Sequence, residues 1–557
     1  RAVEQMASAG ELIARAGVEI AAAVEALPGG LQAFAPSGGA LPLDAISGMS
    51  EPMAIARDLI ADAQALVAAI PSSGLIDPVD DAYAELSGRV EQAHRASESA
   101  AALTEALPAF LGADGPKRYF FGSVNLAELR GSGGFLGAYT ILTVDQGRLS
   151  FGEFHPIQDL PEVPPSELEP PNADYATRYN RFGGAGKWVN ANMTPDGPSA
   201  AVALERAYEH VTGDVMDGVV LADPFAFAAL LKIAGPTQVP DVGAVNAGNV
   251  VDLLSNRAYS EFEDEDVRKR VLGAVAAATL EGFLAEGGGD PARTVRALGE
   301  AAAGGHLLLH STDPDVQAAL ETVGVAGRLL DPDGDYLAVI INNAAQNKVD
   351  YYADRTVRYE AHIHPDGRAV AVAEVELVNH APSAGVPKRV IGSNRGDELN
   401  SGDNLSNVMI YCARTCEPTG FERSDQNDPV AYTEKELGHP VLMSEIRLPS
   451  GASEWMRAGW EVEDAWTVEG TAGTYRFTFQ GQPTIRPTVL ELSIHIPEGM
   501  QVTDHSDGIQ IDGRVARWSG ETSGIASFWV TWDDPEPEGF GARIGEILRR
   551  PVVRFGD

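Results

Sequence analysis

Residues Arg118–Gly137 read RYFFGSVNLAELRGSGGFLG, and the two halves of this stretch follow different rules. The first half, through Val124, is an aromatic and apolar run preceded by the turn residues Gly112, Asp114, Gly115 and Pro116, which predicts a buried strand opening a new domain. The second half gathers an amide, an acid, an arginine and four glycines just before the next strand. Ligands of open α/β sheets bind beyond the carboxyl ends of strands. Asn125, Glu128, Arg130, Gly133 and Gly134 are therefore candidate ligand residues, because glycine lets the backbone approach an anion and a guanidinium can hold phosphate bidentately. The competing reading is a tight turn in which Glu128 and Arg130 merely pair; the string fits neither a P-loop nor a dinucleotide fingerprint.

Working outward, the chain predicts a multidomain α+β protein. Residues 1–110 form a helical stalk or hairpin, because Met6, Leu12, Ile13, Val18, Ile20 and Val24 recur at helical spacing and prolines from Pro28 to Pro78 punctuate the segments. Residues 111–335 form an α/β domain, where strand-like runs at 138–144, 218–221 and 307–309 alternate with helical runs at 200–212, 224–233, 250–259 and 266–285. The Pro-rich stretch 156–171 is expected to be a long connection, functional or mobile. Residues 336–535 read as a β-sandwich of short strands separated by Gly, Pro and Asp turns, and residues 536–557 as a charged C-terminal tail.

Composition excludes some partners. With 80 acidic against 41 basic residues the formal charge is −39, a field that repels nucleic-acid phosphates and anionic lipid surfaces. No stretch reaches the roughly 18–20 uncharged apolar residues that span a bilayer. The chain starts at Arg1 without a signal-like segment, so the expectation is a surface protein whose leader or membrane anchor lies outside this sequence. The two cysteines, Cys412 and Cys416, are close enough to close a small disulfide loop, which implies an oxidising, extracytoplasmic compartment. Free thiols or half of a metal site are the other readings of that pair.

The 118–137 string resembles the leading motif of the domain of unknown function 4012 family. Asp217–Pro224 with Gly235-Pro236 is similar to its second motif. Further matches are 246–250, Arg268-Lys269-Arg270, Asn343, Asn347-Lys348 and Asp350-Tyr351-Tyr352. The resemblance spans most of residues 108–410. More distantly the central domain resembles the LytR-CpsA-Psr ligases, which move glycopolymers from polyprenyl-pyrophosphate carriers with arginines, an aspartate and usually Mg²⁺. That resemblance implies that Arg130, Arg268 and Arg270 face a pyrophosphate and that Asp217 and Asp223 line the same cleft. Phosphoryl transfer of this kind rests on positioning and positive charge rather than covalent catalysis. The arginine-rich acceptor segment of those ligases is replaced here by residues 249–266, which are rich in acids.

Smaller motifs read as structural. Asp331-Pro-Asp333-Gly334-Asp335 resembles the start of a Ca²⁺ loop but lacks the downstream Glu, so a boundary turn is expected. His362 and His364 are expected to be solvated sandwich histidines, with no metal site, since no third ligand lies near them in sequence. Asp504, His505 and Asp507 read as surface residues of a turn. No nucleophile elbow occurs. Two functions remain: a non-catalytic envelope component that binds a protein or glycan partner or self-assembles, and a glycopolymer transferase acting on a polyprenyl phosphate through Arg130, Arg268 and Arg270, with Mg²⁺.

Overall fold

The computed structural model describes residues 1–71, 77–262, 264–285, 291–393, 398–424, 432–469 and 472–533; the expected tail at 536–557 lies outside them. The N-terminal region is built on three long helices, Ala2–Ala26, Ser50–Ala68 and Asp77–Phe110, with the short helix Leu43–Gly48 between the first two. The middle helix buries Ala56, Ile60, Ala63 and Val67, a 4-3-4 spacing that puts one narrow stripe against its neighbours. Ala9 and Ala16 of the first helix meet that stripe, and their small side chains let the backbones approach closely. The third helix runs into the central domain, where Phe110 stacks on Tyr119 at 4.4 Å between ring centroids.

The central sheet has the order Arg148–Phe151, Gly133–Asp145, Lys117–Arg130, Gly218–Ala222, Leu307–Ser311, and His155–Pro156 adds to the second of these strands. Lys117–Arg130 and Gly218–Ala222 are parallel, and the other pairs are antiparallel. Strand alternation divides the core. Tyr119, Phe121, Val220 and Ala222 face the helices Pro224–Ala234, Glu265–Ala285 and Pro314–Thr322, whereas Phe120, Val219 and Leu221 face Gly197–Thr212. The Pro-rich connection is pinned rather than loose: Ile157 is fully buried, the Val163 amide donates to Gly186 O at 3.0 Å and Trp188 Nε1 to Pro161 O at 2.9 Å.

A seven-stranded and an eight-stranded sheet form the sandwich. Their inner faces share one core, in which Tyr359 of one sheet stacks on Phe477 of the other at 4.1 Å. The 331–335 motif is a boundary turn: Gly334 has φ +90°, Asp331 pairs with Arg414 at 2.7 Å, and Asp335 turns inward to accept from Tyr359 and Tyr475. Burial pushes the Asp335 carboxyl above its ordinary value, partly offset by those hydroxyls. Cys412 and Cys416 are joined, and they end one strand of each sheet, so the bridge staples the two layers where the chain crosses between them.

Loop-closure entropy for so short a ring puts this staple at about 2 kcal/mol; reduction, or the Cys412→Ala/Cys416→Ala pair, should lower the urea-derived unfolding free energy by that order. His439 is buried behind the bridge, with Nδ1 2.8 Å from Cys412 O. Burial holds its imidazole below the ordinary histidine value of 6.5, against the pull of that carbonyl. A depressed folded pKa means that its contribution is complete above about pH 6.5 and lost as pH falls through the folded value. The melting temperature should therefore drop on acidification below about 6.5, and the slope should flatten in His439→Asn.

Candidate functional site

The strand Lys117–Arg130 outruns its parallel neighbour, with which it pairs only through Ser123. Beyond that point its ladder with Gly133–Asp145 slips twice, between Ser123 and Val124 and between Asn125 and Leu129. The freed end enters the sandwich. Leu126 and Leu129 join the sandwich core, the Leu129 amide donates to Asp350 Oδ2 at 2.9 Å, the Gly131 amide to Asn342 Oδ1 at 3.0 Å, and Gln482 Nε2 donates to Arg130 O at 2.6 Å. The glycines serve this close packing. A Cβ on Gly131 would stand 2.1 Å from Met193 O, one on Gly134 would stand 2.2 Å from the Asn125 backbone, and Gly133 has φ +118°.

The charged residues of the motif are turned inward and paired within the protein. Arg130 is 3% exposed; its Nη2 pairs with Glu128 Oε1 at 3.1 Å, Nη1 donates to Leu129 O and Asn343 O, and Nε donates to Val189 O. The second Glu128 oxygen holds Lys348 Nζ at 3.1 Å. Burial opposes the Lys348 ammonium, but Tyr259 and Glu128 outweigh it and hold its pKa above the usual lysine value. The Phe135 ring lies 5.7 Å from the Arg130 guanidinium and 5.1 Å from Lys348 Nζ.

Against this joint, on the sheet side, lies a cavity of about 210 Å³ lined by Asn125, Phe135, Gln158, Tyr259, Arg268 and Lys348, among others. Tyr259 organises it. Its hydroxyl accepts from Asn125 Nδ2 at 2.8 Å, and Lys348 and Arg268 lie 4.9 and 5.2 Å from its ring centroid. The helix leading to Tyr259 contains a π-helical turn, Leu253–Arg257, whose Leu254 carbonyl accepts a second hydrogen bond from Asn125. Such widened turns recur where a helix carries functional groups. Arg389 Nε donates to Tyr259 O at 2.5 Å and closes the rim.

Of the residues singled out in the sequence, Asn125 and Arg268 line this cavity. Glu128 and Arg130 stand behind it and border a more open depression with Arg181 and Lys187. Arg270 is exposed and does not line the cavity. Asp223 caps the helix Pro224–Ala234, accepting from the Phe225 and Ala226 amides and meeting His306 Nδ1 at 2.7 Å; burial raises its carboxyl and His306 offsets that. The expectation that Asp217 shares the cleft fails on register: it sits before the strand, bonded to the Arg118 amide and Lys117, at the opposite end of the sheet. Tyr259, Lys348, Phe135 and Gln158 were given no role. Of these, Lys348 was visible in the sequence as part of the Asn347-Lys348 match.

The donor set does not fit Mg²⁺. Among the described residues no carboxylate lines the cavity, and the nearby Glu128 and Asp223 have both oxygens engaged.

Residues 114–259 match the family model described as protein of unknown function (DUF4012). No curated protein matches the chain. Solved structures with some likeness include a protein of Legionella pneumophila described as nutrient binding (10% identity, TM-score 0.21, covering 35% of this chain and 71% of that one). An M1 zinc metallopeptidase from Deinococcus radiodurans (7%, 0.20, 32% and 42%) and leukotriene A4 hydrolase from Saccharomyces cerevisiae (9%, 0.21, 32% and 29%) are others. Scores this low carry no argument about fold or activity.

Removing one partner of a buried ion pair leaves an uncompensated charge at about 3–5 kcal/mol. Glu128→Gln, which strips the carboxylate from between two buried cations, should lower the unfolding free energy by that much in urea titration.

Proposed function

We propose that this chain is an extracytoplasmic cell-envelope protein that acts by binding and assembly rather than catalysis, its cleft taking an anionic group such as a glycan- or carrier-borne phosphate. The observation that carries this reading is the engagement of Glu128 and Arg130. A guanidinium already bonded to a carboxylate and three backbone carbonyls has little left for a pyrophosphate. The missing Mg²⁺ donors support the same reading. So does the cavity size, below the roughly 300–1,000 Å³ of sites for drug-sized ligands. The disulfide suits an oxidising compartment.

The transferase reading, with the central domain as a distant likeness of the LytR-CpsA-Psr ligases, draws support from one feature: Arg268, Lys348 and Tyr259 converge on a cavity beyond the carboxyl end of the Gly218–Ala222 strand, next to Pro224. Calorimetric titration of wild type and Arg268→Ala with geranyl pyrophosphate, with and without Mg²⁺, separates the two, while ³¹P NMR follows the phosphorus. Binding without turnover, weakened about tenfold or more in the variant, is the expected result. Mg²⁺-dependent cleavage of the P–O–P bond, with water taking the outer phosphoryl group and geranyl monophosphate left behind, would favour the transferase, and a wild type that binds nothing would remove the anion from the account.

A further inference from the structure

The outer face of the seven-stranded sheet carries a cluster that has no connection with the cleft. On the strand Ala353–Ile363, Glu360 and His362 alternate with the buried Ala361 and Ile363, so both side chains project outward. The parallel strand Thr488–His495 sets His495 directly opposite His362. The two imidazoles stack at 4.2 Å between centroids, and a single oxygen, Glu360 Oε1, lies 2.9 Å from His362 Nε2 and 3.1 Å from His495 Nε2. All three donor atoms fall within 4.8 Å of one another.

The surrounding face shows what an ordinary carboxylate does here. Glu374, Glu376 and Glu491 each pair with Arg358, and Glu422 pairs with Arg457. Glu360 instead meets two imidazoles, and among the described residues its ion-pair partners are these alone. Ligands bonded to zinc at 2.0–2.1 Å in a tetrahedron stand roughly 3.3 Å apart, close to the 2.9 and 3.1 Å that separate Glu360 Oε1 from the two imidazole nitrogens. The side chains of Glu360 and His362 are 54% and 52% exposed and that of His495 29%, so an ion reaches the three atoms directly from solvent.

We infer that Glu360, His362 and His495 form a surface site for a borderline divalent cation of the Zn²⁺ class, held by two imidazole nitrogens and one carboxylate oxygen, with water in the remaining position. Imidazole suits zinc, copper and nickel, whereas Mg²⁺ or Ca²⁺ would lack the six or more oxygens they take. Sequence alone predicted no metal site at His362; His364, its neighbour in sequence, lies beyond the end of the strand and is not part of the cluster.

The test is calorimetric titration of the tag-free chain with ZnCl₂, beside His495→Gln and Glu360→Gln, with Cu²⁺ electron paramagnetic resonance as an independent reading of nitrogen ligation. Wild type should bind with micromolar affinity. Each variant should bind about tenfold or more weakly, with its metal-free melting temperature unchanged, and the copper spectrum should lose one nitrogen in His495→Gln. Equal affinity and stoichiometry in wild type and both variants, or no Zn²⁺ uptake by wild type, would overturn the assignment.

Discussion

A buried carboxylate shared by two buried cations governs the middle of this molecule. Once the end of the Lys117–Arg130 strand is driven into the sandwich by Leu126 and Leu129, Glu128 between them and Arg130 beyond them lose water and must be paired within the protein. Lys348 takes the second Glu128 oxygen from the sandwich side, and Asp350 receives the Leu129 amide. A second clamp repeats the logic elsewhere: Arg178 of the central domain, 1% exposed, meets Glu434 and Glu436, and Glu436 also accepts from Tyr179, Tyr411 and Thr194. Two satisfied polar networks, each with members from both domains, hold the α/β sheet to the sandwich in one arrangement.

This joint changes what the glycine-rich motif means. Backbone that looks free to cradle an anion is instead free to pass within van der Waals limits of neighbouring backbone, at Gly131 and Gly134. The cavity lies instead on the far side of Phe135, where Tyr259 gathers Asn125, Lys348 and Arg268.

Local patterning made much of the architecture legible. Helical spacing marked the N-terminal region, strand alternation and turn residues marked the sandwich, and the Cys412–Cys416 spacing marked the bridge. What escaped depends on register and long-range pairing. Asp217 and Asp223 look like neighbours in a motif, yet a five-residue strand separates them end to end. The contacts of Asn125 with Tyr259 and of Glu128 with Lys348 span 134 and 220 residues, and no local pattern encodes them. His364 neighbours His362 in sequence but lies beyond the end of its strand, whereas sheet order sets His495 beside it.

The central claim is that residues 125–131 are interior to a domain joint. Hydrogen exchange at single-residue resolution tests it most directly. The account predicts that the amides of Leu129 and Gly131, bonded to Asp350 and Asn342, exchange as slowly as those of the buried strand Asp335–Asn343. Rapid exchange at Leu129 and Gly131 while that strand stays protected would contradict it.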